Sequence, residues 1–137
     1  MGLLAAMLMA HPQPQAILAQ TPGPPNMVLI LSDDQRSTTL KYESTVWGEL
    51  FTHGVKFNNA IVPNSLCCPS RASILTGKFS HSTGIYTNTP PLGGAPMFGP
   101  SSTLATWLHD AGYHTGMFGK YLNEYEFAQG IPPGWDD

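Results

Sequence analysis

A short apolar run at residues 27–31 places the tightest limit on how this chain folds. The run, MVLIL, contains β-branched residues and lies between Pro25 and Ser32, which is typical of a strand buried on both faces of a parallel sheet. Residues 55–62 predict a second strand and residues 113–119 predict a third. Because helical crossovers connect parallel strands, the pattern predicts an α/β fold.

Three helices are predicted in the segments around these strands. Apolar residues recur at helical spacing in residues 43–53. Pro69 suits the first position of a second helix, which Gly77 ends. Ser102 suits the cap of a third helix. Residues 79–101 are rich in Gly and Pro, so they predict a long loop of the kind that often carries function.

Composition indicates how much of such a fold the chain holds. Charged residues make up 11% of the 137 residues, and the chain contains 14 Gly and 13 Pro. Soluble domains have about 25% charged residues, so we expect a loop-rich, mostly buried piece of a larger domain. The formal net charge of −3 gives no basic surface for nucleic acid.

The N-terminal residues predict export. Residues 2–10 are apolar but too few to span a bilayer, and a small-residue cleavage sequence follows. We expect a signal peptide at residues 1–19, a linker at 20–25, a folded part at 26–137 and no transmembrane anchor. The alternative is a disordered N-terminus, since no Lys or Arg precedes Arg36.

Two adjacent acids follow the first predicted strand. Asp33 and Asp34 carry the oxygen ligands that Ca²⁺ and Mg²⁺ prefer, but neighbours can share a cation only where the chain leaves strand geometry. The alternative is that Ser32 and Gln35 form a capping box and the acids complement a helix dipole. Lys120 follows the last predicted strand, so a doubly wound sheet would bring it to the edge where the acids lie.

A cysteine and an arginine flank the predicted helix start at Pro69. Cys67 lies just ahead of it, where free amides stabilise an anion. Arg71 lies four residues further on, so its guanidinium faces residue 67 if the helix extends that far. Cys68 cannot close a loop with its neighbour, and we expect it to be a small buried side chain.

The pattern Cys67-x-Pro69-x-Arg71, followed by Leu-Thr-Gly at 75–77, resembles the signature of the type I sulfatases. A narrower resemblance, to glucosamine-6-sulfatases and heparan sulfate 6-O-endosulfatases, lies in residues 65–78, 119–125 and 132–135. The resemblance covers about residue 26 to the end. It implies an alkaline-phosphatase-like doubly wound mixed sheet with helices on both faces, of which this chain is the N-terminal part.

The same resemblance implies a metal site and a modified residue. A formylglycine-generating enzyme would oxidise Cys67 to Cα-formylglycine, also called 3-oxoalanine. Asp33, Asp34 and residue 67 would bind one Ca²⁺ ion. The secretory pathway is the implied compartment, with an extracellular, periplasmic or lysosomal destination.

The reaction that the resemblance implies is hydrolysis of a sulfate ester in a sulfated carbohydrate, such as glucosamine 6-O-sulfate in glycosaminoglycans. One hydroxyl of the hydrated aldehyde at residue 67 attacks sulfur, and the other then loses its proton and expels sulfate. Arg71 and Lys120 would contact the sulfate group and stabilise its charge. His81 and Asn123 are further candidates for binding substrate.

Three alternatives are left open. A thiol phosphatase would also use a cysteine and an arginine, but its phosphate loop needs backbone N–H groups, and Pro69 has none. A phosphohydrolase of the alkaline phosphatase superfamily would share the fold but would carry Ser or Thr as its nucleophile. A truncated sulfatase fragment would be inactive alone, because members of the family run several times longer.

Overall fold

The computed structural model describes residues 23–126 and 129–137. The described residues divide after Leu31 into two units, of which the second is Ser32–Asp137. The predicted signal peptide at residues 1–19 lies outside the described residues. The described residues of the second unit contain three α-helices, α1 (Cys67–Thr76), α2 (Ser80–Thr83) and α3 (Leu104–Asp110). Three other helical segments are a 3₁₀ helix at Ser37–Tyr42, a π-helix at Val46–Phe51 and a 3₁₀ helix at Ala95–Met97. None of the described helices has the length and apolar character that crossing a bilayer requires.

The three predicted strands are not formed in the described part of the chain. The one pairing there is an isolated parallel bridge between Thr87 and Gly93. Apolar side chains that a sheet would cover are exposed instead, with Val28 at 86%, Ile61 at 91% and Phe118 at 90%. An isolated extended segment leaves its backbone groups and apolar side chains in water, so it is not stable without neighbours. The described residues therefore show neither the predicted strands nor the doubly wound sheet, and both stay predictions.

The helix predicted at residues 43–53 is present, with helical residues from 44 to 53 and the π-helix at their centre. Its aromatic residues Trp47 and Phe51 pack edge to face, with ring centroids 4.9 Å apart. Trp47 and Leu50 remain about half exposed, at 45% and 55%. The apolar face that predicted this helix thus has little packed against it in the described structure.

The second predicted helix, α1, begins two residues earlier than expected. Cys67 is its first residue, and Pro69 occupies the third position rather than the first. Proline is tolerated throughout a first turn, because the amides there have no partner within the helix. The predicted end is confirmed, since Gly77 has φ 66° and donates its N–H to the Ser73 carbonyl at 2.8 Å.

The third predicted helix, α3, is capped by Thr103 rather than by Ser102. Thr103 and Thr106 form a reciprocal capping box, in which each hydroxyl accepts the other residue's backbone N–H. The hydroxyl of Ser102 instead accepts the indole N–H of Trp107 at 3.0 Å. The prediction of a cap one residue too early reflects two adjacent hydroxyl residues with similar capping propensity.

A small core fixes one face of α1. The buried side chains that form this core are Cys68, Ala72, Ile85, Phe98, Tyr121 and Leu122. Cys68 and Ala72 lie one turn apart, so their burial turns the neighbouring positions 67 and 71 toward a different, more open face. The residues opposite α1 come from the predicted loop at 79–101 and from the segment after Lys120. The core therefore brings the first turn of α1 next to that segment.

Candidate active site

The adjacent acids meet the side chain of Cys67. Asp34 has φ 54°, a left-handed conformation that is uncommon outside glycine. The chain therefore leaves extended geometry at this residue, which is the condition that sequence analysis set for a shared cation. One ligand atom from each of Asp33, Asp34 and Cys67 lies within 4.8 Å of the others. The Sγ of Cys67 lies 4.0 Å from Oδ1 of Asp34.

Arg71 joins α1 to the segment that carries Lys120. Its side chain is only 11% exposed and lies one turn after Cys67 on the same face of the helix. The guanidinium donates to the backbone carbonyl of Lys120 and, at 3.5 Å, to that of Tyr121. Its Nη2 also lies 3.4 Å from Oδ1 of Asp33. Arg71 therefore contacts both an acid of the pair and the backbone that positions Lys120.

Lys120 contacts the other oxygen of the same carboxylate. Its Nζ donates to Oδ2 of Asp33 at 2.7 Å. This hydrogen bond is the main cause that lowers the pKa of Asp33 and raises the pKa of Lys120, so both groups are charged near neutral pH. Lys120 was predicted to follow a strand, but the residues before it form no paired strand in the described structure. It is brought to the acids by an irregular segment whose carbonyl groups Arg71 holds.

The two adjacent cysteines have different environments. Cys67 is partly exposed and faces the acids, whereas Cys68 is fully buried in the core. Burial raises the pKa of the Cys68 thiol, since a thiolate is disfavoured in apolar surroundings. The expectation that Cys68 is a small buried side chain is confirmed. Chemistry at this helix start is therefore available to residue 67 and not to its neighbour.

Two of the predicted substrate-binding residues are not joined to this cluster. His81 lies on α2, is exposed and stacks on Phe79 with ring centroids 5.7 Å apart. The buried Oδ1 of Asn123 accepts no hydrogen bond among the described residues, while the backbone carbonyl of Asn123 accepts the Ala95 N–H at 2.7 Å. A role in substrate binding stays a prediction for both residues.

The donor set suits a hard divalent cation. Asp33 and Asp34 offer carboxylate oxygens on one side, and residue 67 offers a third ligand atom. Calcium binds six to eight oxygen ligands, so the two carboxylates form only part of a coordination shell, whereas the sulfur of Cys67 is a softer ligand atom. The helix-cap alternative for these acids is not supported, because the first helix begins at Ser37 with Arg36 at its N-cap and no side-chain cap.

Two asparagines that sequence analysis did not assign lie beside residue 67. The Oδ1 of Asn64 accepts the N–H of Leu66 at 2.9 Å, and the Oδ1 of Asn88 accepts the N–H of Cys68 at 2.9 Å. Asn64 could have been found as a local turn, because its side chain bonds a residue only two positions on. Asn88 is 20 positions from its partner, and no local pattern connects them.

The chain is similar to sulfatases over most of its length. A family model described as Sulfatase matches residues 25–134. The extracellular sulfatase SULF-1 homolog of Drosophila melanogaster is 39% identical over 115 residues, covering 81% of this chain and 10% of the relative. The N-acetylglucosamine-6-sulfatase of Homo sapiens is 39% identical over 126 residues, covering 81% of this chain and 22% of the relative.

A bacterial protein shows a similar match. The N-acetylglucosamine-6-O-sulfatase of Bacteroides thetaiotaomicron is 32% identical over 103 residues, covering 71% of this chain and 18% of the relative. The chain therefore spans from 10% to 22% of the length of these three relatives. No solved structure matches the chain significantly.

Proposed function

The chain belongs to the sulfatase family, and from that premise we propose that it supplies part of the active site of a sulfuric ester hydrolase. The relatives named for N-acetylglucosamine 6-sulfate support glucosamine 6-O-sulfate in glycosaminoglycans as the substrate. The products are inorganic sulfate and the free hydroxyl of the sugar.

The observation that carries this proposal is the convergence of opposite charges beside residue 67. Asp33 and Asp34 bring two negative charges, and Arg71 and Lys120 bring two positive charges. All four side chains belong to the unit Ser32–Asp137, and the neighbouring free thiol of Cys68 is excluded by its burial. Such an arrangement suits a site that holds both a cation and an anionic group.

Residue 67 is the proposed nucleophile, after oxidation of Cys67 to formylglycine by a formylglycine-generating enzyme. One hydroxyl of the hydrated aldehyde loses its proton and forms a bond to sulfur, while the bond from sulfur to the sugar oxygen breaks and that oxygen takes up a proton. The other hydroxyl loses its proton as its carbon releases the sulfate oxygen, and the aldehyde forms again. A serine in the same place has a single hydroxyl and cannot perform the second step.

Arg71 and Lys120 are the proposed sulfate contacts. Their cationic groups meet at one carboxylate, that of Asp33, so an anion next to residue 67 lies within the field of both. Arg71 is the more firmly held of the two, because it is nearly buried and fixed to backbone carbonyls. Lys120 has a more exposed, flexible side chain and can exchange Asp33 for a sulfate oxygen.

Asp33, Asp34 and residue 67 are the proposed ligands of one Ca²⁺ ion. Calcium, when bound there, supplies Lewis acidity that lowers the pKa of a hydroxyl at residue 67. Asp33 would then share its two oxygens between the cation and the neighbouring basic side chains. His81 and Asn123 are proposed to contact the sugar, with Asn123 in the segment just after Lys120.

The wider setting follows from the family. We propose that residues 26–137 are the N-terminal part of an alkaline-phosphatase-like catalytic domain, in which the segments 27–31, 55–62 and 113–119 pair in a doubly wound mixed sheet. Their exposed apolar side chains support such a place in a larger sheet. The proposed compartment is the secretory pathway, leading to an extracellular, periplasmic or lysosomal protein.

Two cysteine variants test the proposal. The chain is co-expressed with a formylglycine-generating enzyme, and residue 67 is analysed by peptide mass spectrometry. We expect an aldehyde in the unsubstituted chain and in Cys68→Ser, because Cys68→Ser keeps the Cys67-x-Pro69-x-Arg71 pattern. We expect no aldehyde in Cys67→Ser. Sulfate release from a 6-sulfated N-acetylglucosaminide is then followed in the presence of Ca²⁺.

The kinetic result separates the two variants further. Cys67→Ser is expected to lose multiple turnover, because its single hydroxyl traps the sulfated protein. Undiminished steady-state sulfate release by Cys67→Ser would contradict the proposed role of residue 67. An unmodified thiol at position 67 in the unsubstituted chain would contradict the sulfatase proposal and favour a thiol-based phosphatase or an inactive fragment.

A further inference from the structure

We propose that Asn88 is a positioning residue, which holds the first turn of α1 and thereby fixes the side chain of residue 67 toward the acid pair. The catalytic importance of this contact rests on the proposed function, since it assumes that residue 67 is the nucleophile. The contact itself is a hydrogen bond between Oδ1 of Asn88 and the backbone N–H of Cys68, 2.9 Å long.

The start of α1 needs a partner from outside the helix. Its N-cap residue is Leu66, whose side chain has no group to cap the helix. Pro69 has no N–H, and the N–H of Ser70 is the first to bond within the helix, to the Leu66 carbonyl at 2.9 Å. The N–H of the buried residue Cys68 would therefore lack a partner without Asn88, at the cost that an unpaired buried amide carries.

Residue 67 is held on both sides along the chain. The amide before it, that of Leu66, is accepted by the side chain of Asn64 at 2.9 Å. The amide after it, that of Cys68, is accepted by Asn88. Two asparagine side chains therefore fix the backbone on either side of Cys67, and Cys68 anchors its own side chain in the core. The side chain of residue 67 is left to face Asp34.

The loop around Asn88 is itself held by short contacts. The N–H groups of Tyr86 and Thr87 donate to the carbonyl of Leu92, at 2.7 Å and 3.1 Å. Gly93 lies against Thr87 so closely that a Cβ at Gly93 would come within 1.7 Å of the Thr87 carbonyl oxygen. A side chain at position 93 would push the two parts of the loop apart, and Asn88 would move with them.

The same loop also contacts the segment that carries Lys120. The N–H of Ala95 donates to the carbonyl of Asn123 at 2.7 Å. One loop therefore sets the position of residue 67 through Asn88 and contacts the polypeptide just after Lys120 through Ala95. The loop contributes none of the four charged side chains of the site, but it helps to position them through these two contacts.

The burial of Cys68 provides a test that needs no enzymatic activity. In the unmodified full chain, alkylation of each cysteine by iodoacetamide is followed with time, and tandem mass spectrometry separates label at Cys67 from label at Cys68. We expect Asn88→Ala to increase the rate of labelling at Cys68 about fivefold, since loss of one helix cap frees the first turn to open. Asn88→Asp keeps the acceptor and is expected to label at the native rate.

Asn59→Ala is the matched control, because Asn59 is an exposed asparagine in a turn. It is expected to label at the native rate at both cysteines. The kinetic test uses the form of the chain that carries the aldehyde at residue 67. There, Asn88→Ala is expected to lower kcat about fivefold and to change KM by less than about twofold. Asn88→Asp is expected to restore kcat. A purely structural loss would reduce the amount of folded protein and leave the kcat of the folded fraction unchanged.

Two results would overturn the proposal. One is a native rate of Cys68 labelling in Asn88→Ala, and the other is an Asn88→Asp variant that labels as fast as Asn88→Ala. A thiol that stays unmodified at residue 67 after co-expression would instead overturn the sulfatase function. The labelling rates would still decide the role of Asn88, because they are measured on the thiol form of the chain.

Discussion

Replacing Arg71 with alanine tests whether this residue holds the site together. The guanidinium links α1 to the carbonyls of Lys120 and Tyr121 and to the carboxylate of Asp33. Its side chain is 11% exposed, so little water can replace these contacts when the side chain is removed. The variant should therefore lose stability and release the segment around Lys120.

The size of the loss can be estimated contact by contact. The bond to the Lys120 carbonyl is charge-assisted and contributes about 1.5–3 kcal/mol. The pair with Asp33 is 3.4 Å long and the Asp33 side chain is 39% exposed, so it adds only about 0.2–1 kcal/mol. The 3.5 Å contact with Tyr121 is too long to add much. We expect Arg71→Ala to lower the free energy of unfolding by about 2–4 kcal/mol.

Urea unfolding of the full chain, followed by circular dichroism, measures this change. Arg36→Ala is the matched control, since Arg36 is exposed and its side chain makes no cap bond to the helix that it precedes. It should shift the free energy of unfolding by no more than about 0.5 kcal/mol. If Arg71→Ala lies within the same range with an unchanged urea dependence, Arg71 does not hold α1 to the Lys120 segment.

Two further predictions concern the rest of the fold. Thr103→Ala removes the capping box of α3 and should cost about 1–2 kcal/mol in urea unfolding, and a smaller cost than that of Ser102→Ala would contradict Thr103 as the cap. The Nε2–H of His114 donates to Oδ2 of Asp137 at 2.7 Å, and this hydrogen bond raises the pKa of His114 above its ordinary value of 6.5. Its stabilisation is fully present below pH 6.5 and is lost as the pH rises through the raised pKa, so the thermal midpoint should fall over that range. The pH dependence should be weaker in His114→Gln, and equal curves for the two proteins would count against the ion pair.

Local sequence signals predicted the helices better than they predicted strands. Gly77 ends α1 because the left-handed conformation there is cheap for glycine, and this depends on one residue and its immediate neighbours. Cys67 and Arg71 lie on one helical face for the same local reason. A strand needs partners that are remote in sequence, so the apolar run at 27–31 predicts a buried strand but does not specify what covers it.

Contacts between residues far apart in sequence could not be predicted from local sequence patterns at the site. Asn88 lies 20 positions from Cys68, within a stretch whose Gly and Pro predicted a loop and nothing more. The shift in the start of α1 has the same origin, because an acceptor from this loop makes it possible to begin the helix before Pro69. The Cys67-x-Pro69-x-Arg71 pattern nevertheless indicated the family, which the match over residues 25–134 confirms.

Asp33 and Lys120 were expected to lie close together because each would follow a strand at the same edge of a sheet. Their side chains are in contact, but neither residue follows a paired strand in the described residues. Their side chains lie 2.7 Å apart although the two residues are 87 positions apart in sequence. Two features bring these side chains together. One is the core around Cys68, and the other is the set of hydrogen bonds from Arg71 to the carbonyls of Lys120 and Tyr121. A sheet would add rigidity to both segments, but opposite charges and one buried guanidinium already favour this arrangement. It follows that Arg71→Ala should disturb Lys120 more than substitution of the exposed residue Phe118.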